Sequence, residues 1–145
     1  MYARTHRRAL TLLLAALGMV SATTLIPAPA QAAPPCSITY RAGGWDASGT
    51  SPASFHGEFD LTNNTATKTV GWRVEVHYAA GVELTQHWNS VLLLDVDPVY
   101  VFGNDPSNFE IPPNGRRAVW FDLFARKTAN NISNYPVDAV CTPLF

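Results

Sequence analysis

The sequence predicts an all-β fold: an antiparallel β-sandwich, jelly-roll or immunoglobulin-like, with its termini joined by one disulfide. Three observations point to it. From Ser37 onward apolar and polar residues alternate with period two, the side-chain period of a strand with one buried face. No stretch sustains the i, i+3, i+4, i+7 spacing of an amphipathic helix. Turn-forming clusters such as TNNTAT, FGNDPSN and PPNG interrupt the alternation at short intervals, as in a sandwich and unlike strands joined by crossover helices.

The first segment, 1–32, is expected to be a secretory signal peptide. Arg4, Arg7 and Arg8 precede the apolar run Leu10 to Val20, and Ala30-Gln31-Ala32 supplies a small-residue cleavage site. The alternative is an uncleaved anchor, which needs about 20 apolar residues, whereas Gly18, Ser21 and Thr23 break this run. Cleavage after Ala32 leaves a single domain, 33–145, of about 113 residues, enough for one core and too few for two. It predicts an extracellular, monomeric product with no membrane partner. With the three leader arginines gone, 7 basic residues face 11 acidic ones. Nucleic acid is therefore not an expected partner. The basic pairs Arg116-Arg117 and Arg126-Lys127 read as solvated turn positions.

The elements follow in order. Cys36 opens the domain and Cys141 closes it. In an oxidising compartment they read as one disulfide tying the ends together, free thiols being the alternative. In FHGEFDL (55–61), Phe55, Gly57, Phe59 and Leu61 share one face, opposite His56, Glu58 and Asp60. In WRVEVHY (72–78), Trp72, Val74, Val76 and Tyr78 oppose Arg73, Glu75 and His77. ELTQHWNS (83–90) has the look of a strand end, and the apolar run Val91 to Leu94 follows it. In AVWFDLF (118–124) both faces carry aromatics, Phe121 on one and Trp120 and Phe124 on the other. DASGTSPAS (46–54) and KTANNISNYP (127–136) are expected to be surface loops.

No catalytic constellation emerges. His56, His77 and His87 have no serine in a nucleophile-elbow context and no free cysteine to activate. Asp95, Asp97 and Asp105 offer oxygen ligands, but the glycine and glutamate positions of a calcium loop are missing, so no metal or cofactor is expected. A mature start at Ala33-Pro34-Pro35 has no N-terminal histidine for an oxidative copper site. The sequons Asn63-Asn64-Thr65 and Asn131-Ile132-Ser133 are three-residue matches of a kind frequent by chance.

What stands out is the tryptophan content. Trp72 follows Gly71 on an apolar strand face and is assigned to the core. Trp45, between Gly43-Gly44 and Asp46-Ala47-Ser48-Gly49, has a context that favours exposure. Trp88 sits among hydrogen-bonding neighbours. An exposed indole leaves apolar area uncovered unless a ligand covers it.

The chain resembles the family 2 carbohydrate-binding modules, the bacterial type that binds cellulose and xylan. The resemblance is carried in order by Cys36, Tyr40, Trp45, Phe55, Asn63, Gly71-Trp72, Gln86 with Trp88 in a T-Q-x-W-N/S form, Pro113-Asn114-Gly115, Phe121, Tyr135-Pro136 and Cys141. It implies a β-sandwich in which Trp45 and Trp88 are surface stacking platforms, Trp72 is buried and Gln86 hydrogen-bonds sugar hydroxyls. A pyranose has C–H groups for an aromatic face and edge hydroxyls for amide partners. The resemblance therefore implies a secreted, non-catalytic module binding β-1,4-linked polysaccharide, cellulose or xylan, without cofactor.

Four departures accompany it. Where cellulose-binding members carry a third surface tryptophan stands Ser107-Asn108-Phe109, so either Phe109 substitutes for it or the strip has two platforms. The 46–54 loop is longer than the family's. Trp120 stands in place of a glycine, as a new surface aromatic or a core rearrangement. The short stretch Pro136 to Cys141 suggests a trimmed last strand. The alternative function is a secreted protein-interaction or inhibitor domain that keeps the sandwich and has lost sugar binding.

Overall fold

A computed structural model describes residues 32–45, 54–115 and 118–145. The expected signal peptide and the 46–54 loop lie outside the described residues, but for Ala32 and Ser54. The described residues form eight strands and no helix: β1 (Cys36–Trp45), β2 (Ser54–Asn63), β3 (Gly71–His77), β4 (Val82–Trp88), β5 (Ser90–Val96), β6 (Val99–Asn104), β7 (Val119–Lys127) and β8 (Asp138–Leu144). They pair antiparallel in two four-stranded sheets, ordered β1-β2-β7-β4 and β5-β6-β3-β8. The sandwich expected from the alternation is the fold.

Period two sorts the faces. In β2 every second residue from Phe55 to Asn63 is buried, and in β7 Phe121, Leu123 and Ala125 are buried while Trp120 and Arg126 are exposed. Phe121 occupies the middle of the core. Its ring stacks on Phe59 of its own sheet at 4.7 Å and on Trp72 of the facing sheet at 5.4 Å. Trp72 is 1% exposed, as its strand context predicts. Aromatic pairs of this kind contribute beyond their buried area, by about 0.5–1.5 kcal/mol each.

The two open sides of the sandwich are closed differently. On one, Cys36 in the edge strand β1 is bonded to Cys141 in β8, the edge strand of the other sheet. On the other, a single residue, Asn89, separates β4 from β5, edge strands of different sheets. Asn89 has φ 55°, a left-handed conformation that asparagine tolerates better than most residues. That conformation turns the chain from one sheet to the other immediately after Trp88.

One stretch differs from the expectation, and another is settled only by the structure. The last strand is not trimmed: all seven residues of β8 pair with β3, from Gly71↔Leu144 to His77↔Asp138. Pro143 fits because an edge strand has one side that need not donate to a ladder. The apolar run in β5 is largely exposed. The register shifts between Leu92 and Leu94, so Leu92 packs against the core while Val91, Leu93, Leu94 and Val96 are exposed.

The 127–136 stretch is a surface connection after Lys127, anchored where the Tyr40 hydroxyl donates to the Asn134 carbonyl at 2.6 Å. Asn63, of the first sequon, is buried and its Nδ2 donates to the Thr67 and Ile111 carbonyls at 2.7 and 3.1 Å. Its amide nitrogen serves as a structural donor for the 64–70 turn and not as a glycan acceptor.

Candidate functional site

The outer face of the β1-β2-β7-β4 sheet carries the only large exposed indoles among the described side chains. Trp88, the last residue of β4, is 42% exposed, and Trp120, near the start of β7, is 47% exposed. Register brings them together: Trp88 is paired with Asp122, which is two residues beyond Trp120 on the same face of β7. Asp122 is paired in turn with Glu58 of β2, and Phe124 with both His56 and Gln86.

These residues enclose a shallow depression of about 370 Å³ lined by His56, Trp88, Asn89, Trp120, Asp122 and Phe124. Phe124 props the strip from below. Trp88 meets it edge-on at 5.3 Å and 77°, and the His56 ring lies 5.1 Å from it. A second depression of about 350 Å³, lined among others by Ser107, Asn108, Glu110 and Pro112, shares Asn89 and Trp120 with the first. The two join into a track running past both indoles.

The 105–109 loop borders that track and is tightly held. Asp105 accepts from the Ser107 backbone N–H at 2.8 Å and from the Ser107 hydroxyl at 2.7 Å, which holds the Asp105 carboxyl below its usual range. Asn108 Oδ1 accepts the Asp105 N–H at 2.9 Å, and Asn108 Nδ2 donates to the Asn89 carbonyl at 2.5 Å. The buried Trp72 Nε1 donates to the Asn108 carbonyl at 2.9 Å. One core tryptophan thus fixes, through Asn108 and Asn89, the turn that presents another.

The polar groups of the strip are unevenly matched. Arg41 of β1 is bound to Glu58 and, at 2.6 Å, to Asp60. Asp122 has only His56, with Nε2 3.4 Å from Oδ2, and its Oδ1 is buried without a hydrogen-bond partner. Burial pushes the Asp122 carboxyl up, His56 opposes this, and the Glu58 and Asp60 carboxylates add to the rise.

The residues singled out from sequence fall in different places. Trp88 lies in the strip. Trp45 is paired through its backbone with Ser54, and its side chain lies outside the described residues. Gln86 is exposed on β4 opposite Phe124 but does not line either depression. Phe109, 39% exposed, lines neither as well. Its carbonyl accepts the Thr69 hydroxyl at 3.1 Å. Of the two readings of Trp120, the structure has the surface aromatic.

Sequence reasoning did not gather Trp120, Asp122, Phe124, His56 and Asn89 into one site. The available signal was the AVWFDLF strand, with aromatics on both faces. The three histidines do not converge. His56 is in the strip, His77 pairs with Glu75 at 2.6 Å on the other sheet, and His87 turns inward, 6.1 Å from Phe102. Asp97 accepts the Gly81 N–H, and no cluster of three metal-ligating side chains occurs among the described residues.

The profile of the cellulose binding domain family matches residues 36–137. Among solved structures, the cellulose-binding family 2 carbohydrate binding domain from ScLPMO10C is similar with 26% identity and TM-score 0.53, over 74% of this chain and 95% of that one. The chitin-binding domain of Chi18aC from Streptomyces coelicolor shares the fold with 17% identity and TM-score 0.54, over 74% of this chain and 90% of that one. Chitinase ChiA74 from Bacillus thuringiensis has 22% identity and TM-score 0.52 over 73% of this chain, which spans only 15% of that enzyme. No curated protein matches the chain by sequence.

Proposed function

Because the chain belongs to the cellulose binding domain family, the family 2 carbohydrate-binding modules, we propose that it binds β-1,4-linked polysaccharide by stacking sugar rings on Trp88 and Trp120. Cellulose is the first ligand and xylan the alternative. The observation that carries this reading is that two exposed indoles on neighbouring strands line one depression with hydrogen-bonding groups at its edge. Indole faces take the C–H side of a pyranose, while Asn89 at the edge of the depression offers an amide partner to its hydroxyls.

Trp45 at the end of β1 extends the same strip in this reading, with Gln86 and Phe109 as outlying contacts. The module acts without catalysis, as a monomer outside the cell once 1–32 is removed. Binding to single sugars is weak and retention comes from repeated contacts along a polymer.

By analogy with nucleobase stacking, each platform contributes about 1–3 kcal/mol, so Trp88→Ala and Trp120→Ala are each expected to weaken retention on insoluble cellulose about 5- to 150-fold. Trp88 also rests on Phe124, so its loss lowers the thermal midpoint by a few degrees only. Undiminished retention by the double variant would refute stacking. Recovery of a protein partner with no polysaccharide retention would favour the interaction-domain alternative.

A further inference from the structure

Between the two indoles stands a carboxylate that stacking a neutral sugar does not require. Asp122 faces outward from the middle of β7, and its side chain is 20% exposed, into the depression. Its Oδ2 has only a long contact to His56, and its Oδ1 has no partner. The other charged groups on this part of the face are Glu58 and Asp60 of β2 and Arg41 of β1, which is committed to both. From β4 come Trp88 and Gln86, neither charged. The depression is therefore a place where a positive charge is attracted by an under-compensated carboxylate, with two indoles lining it alongside.

We propose that Asp122 makes this strip selective for β-1,4-linked glycans that carry an ammonium group, the polymers of glucosamine, over uncharged ones. The proposal rests on the stacking reading and adds a determinant of specificity to it. A ring lying across Trp88 and Trp120 turns its edge substituents toward Asp122. A C2 ammonium donates a charge-assisted hydrogen bond to Oδ2 and compensates the burial that now holds this carboxyl above its ordinary range. A C2 hydroxyl brings no charge of its own, and its bond to the carboxylate only replaces the one each group makes with water.

The test measures retention on chitosan and on microcrystalline cellulose, in mildly acidic buffer at low salt, for the wild type, Asp122→Asn, Trp88→Ala and Glu75→Gln. Glu75 lies on the other sheet, paired with His77, and controls for net charge alone. The wild type is expected to hold chitosan more tightly than cellulose. Asp122→Asn should lose about tenfold on chitosan and nothing on cellulose, with Glu75→Gln matching the wild type on both. The proposal is overturned if Asp122→Asn keeps its chitosan affinity, if it loses both polymers equally, or if Glu75→Gln loses as much. In each of these cases a dependence of cellulose retention on Trp88 leaves stacking standing, whereas failure of stacking shows as no effect of Trp88→Ala on either polymer.

Discussion

Replacing both cysteines by alanine should lower the thermal midpoint by about 20 °C and leave polysaccharide retention at 25 °C intact. The bond joins residues 105 apart in sequence, so its removal frees a closed loop of nearly the whole domain. In the chain-entropy treatment a loop of this length constrains the unfolded state by about 4.7 kcal/mol. A domain of this size has a total stability of about 6–17 kcal/mol, so the variant still folds. An unfolding entropy of about 2.1 cal/mol/K per residue converts the loss to a shift of about 20 °C. Alanine is the right replacement because Cys36 is buried and a hydroxyl there would need a partner. Binding should survive because the bond staples β1 to β8, whereas Trp88 and Trp120 sit on β4 and β7. The assay is thermal unfolding by circular dichroism, with retention measured in parallel. A fall of less than about 5 °C would refute the reasoning that the bond acts on the unfolded chain across the full loop. Lost retention in a folded variant would refute the separation of the staple from the site.

Two further substitutions probe the support beneath the strip. Asn108→Ala removes the donation to the Asn89 carbonyl and the acceptance from Asp105 N–H. It should cost about 1–3 kcal/mol of stability by chemical denaturation and weaken polysaccharide retention, because the turn after Trp88 loses its tether; unchanged retention would show that this tether does not position the indole. Gly57→Ala places a Cβ 2.8 Å from the Tyr40 hydroxyl oxygen, on a ring already packed 4.6 Å from Phe59 and bonded to Asn134. About 1–3 kcal/mol of overpacking cost is expected in the urea midpoint at constant slope, and a neutral result would mean that Tyr40 relocates freely.

Much of the fold is written in local pattern. Alternation in 55–61, 72–78 and 118–124 places each residue on its correct face, because side-chain direction in a strand is a property of the backbone alone. The disulfide of the terminal cysteines and the buried role of Trp72 are legible too, the first from the presence of just two cysteines at the ends of the domain and the second from immediate neighbours. Where pattern misled, a longer-range circumstance intervened. β8 gains its full length only from β3 beside it, and the exposure of the apolar run in β5, on which the pattern is silent, follows from the bulge between Leu92 and Leu94 and the edge position of that strand.

The site shows the division most clearly. Sequence alone sets Trp120 on the strand face opposite Phe121 without deciding whether that face is exposed, and through the family pattern it makes Trp88 a surface platform and points to carbohydrate. It does not say that they are neighbours, since period two specifies a face and is silent on which strands lie side by side. That was decided by the order β1-β2-β7-β4, which sets β7 next to β4 and slides Asp122 opposite Trp88. The union of two indoles, a half-satisfied carboxylate and the tethered Asn89 into one track exists only once the sheet has assembled, because each comes from a separate part of the chain and is held by hydrogen bonds that cross between strands.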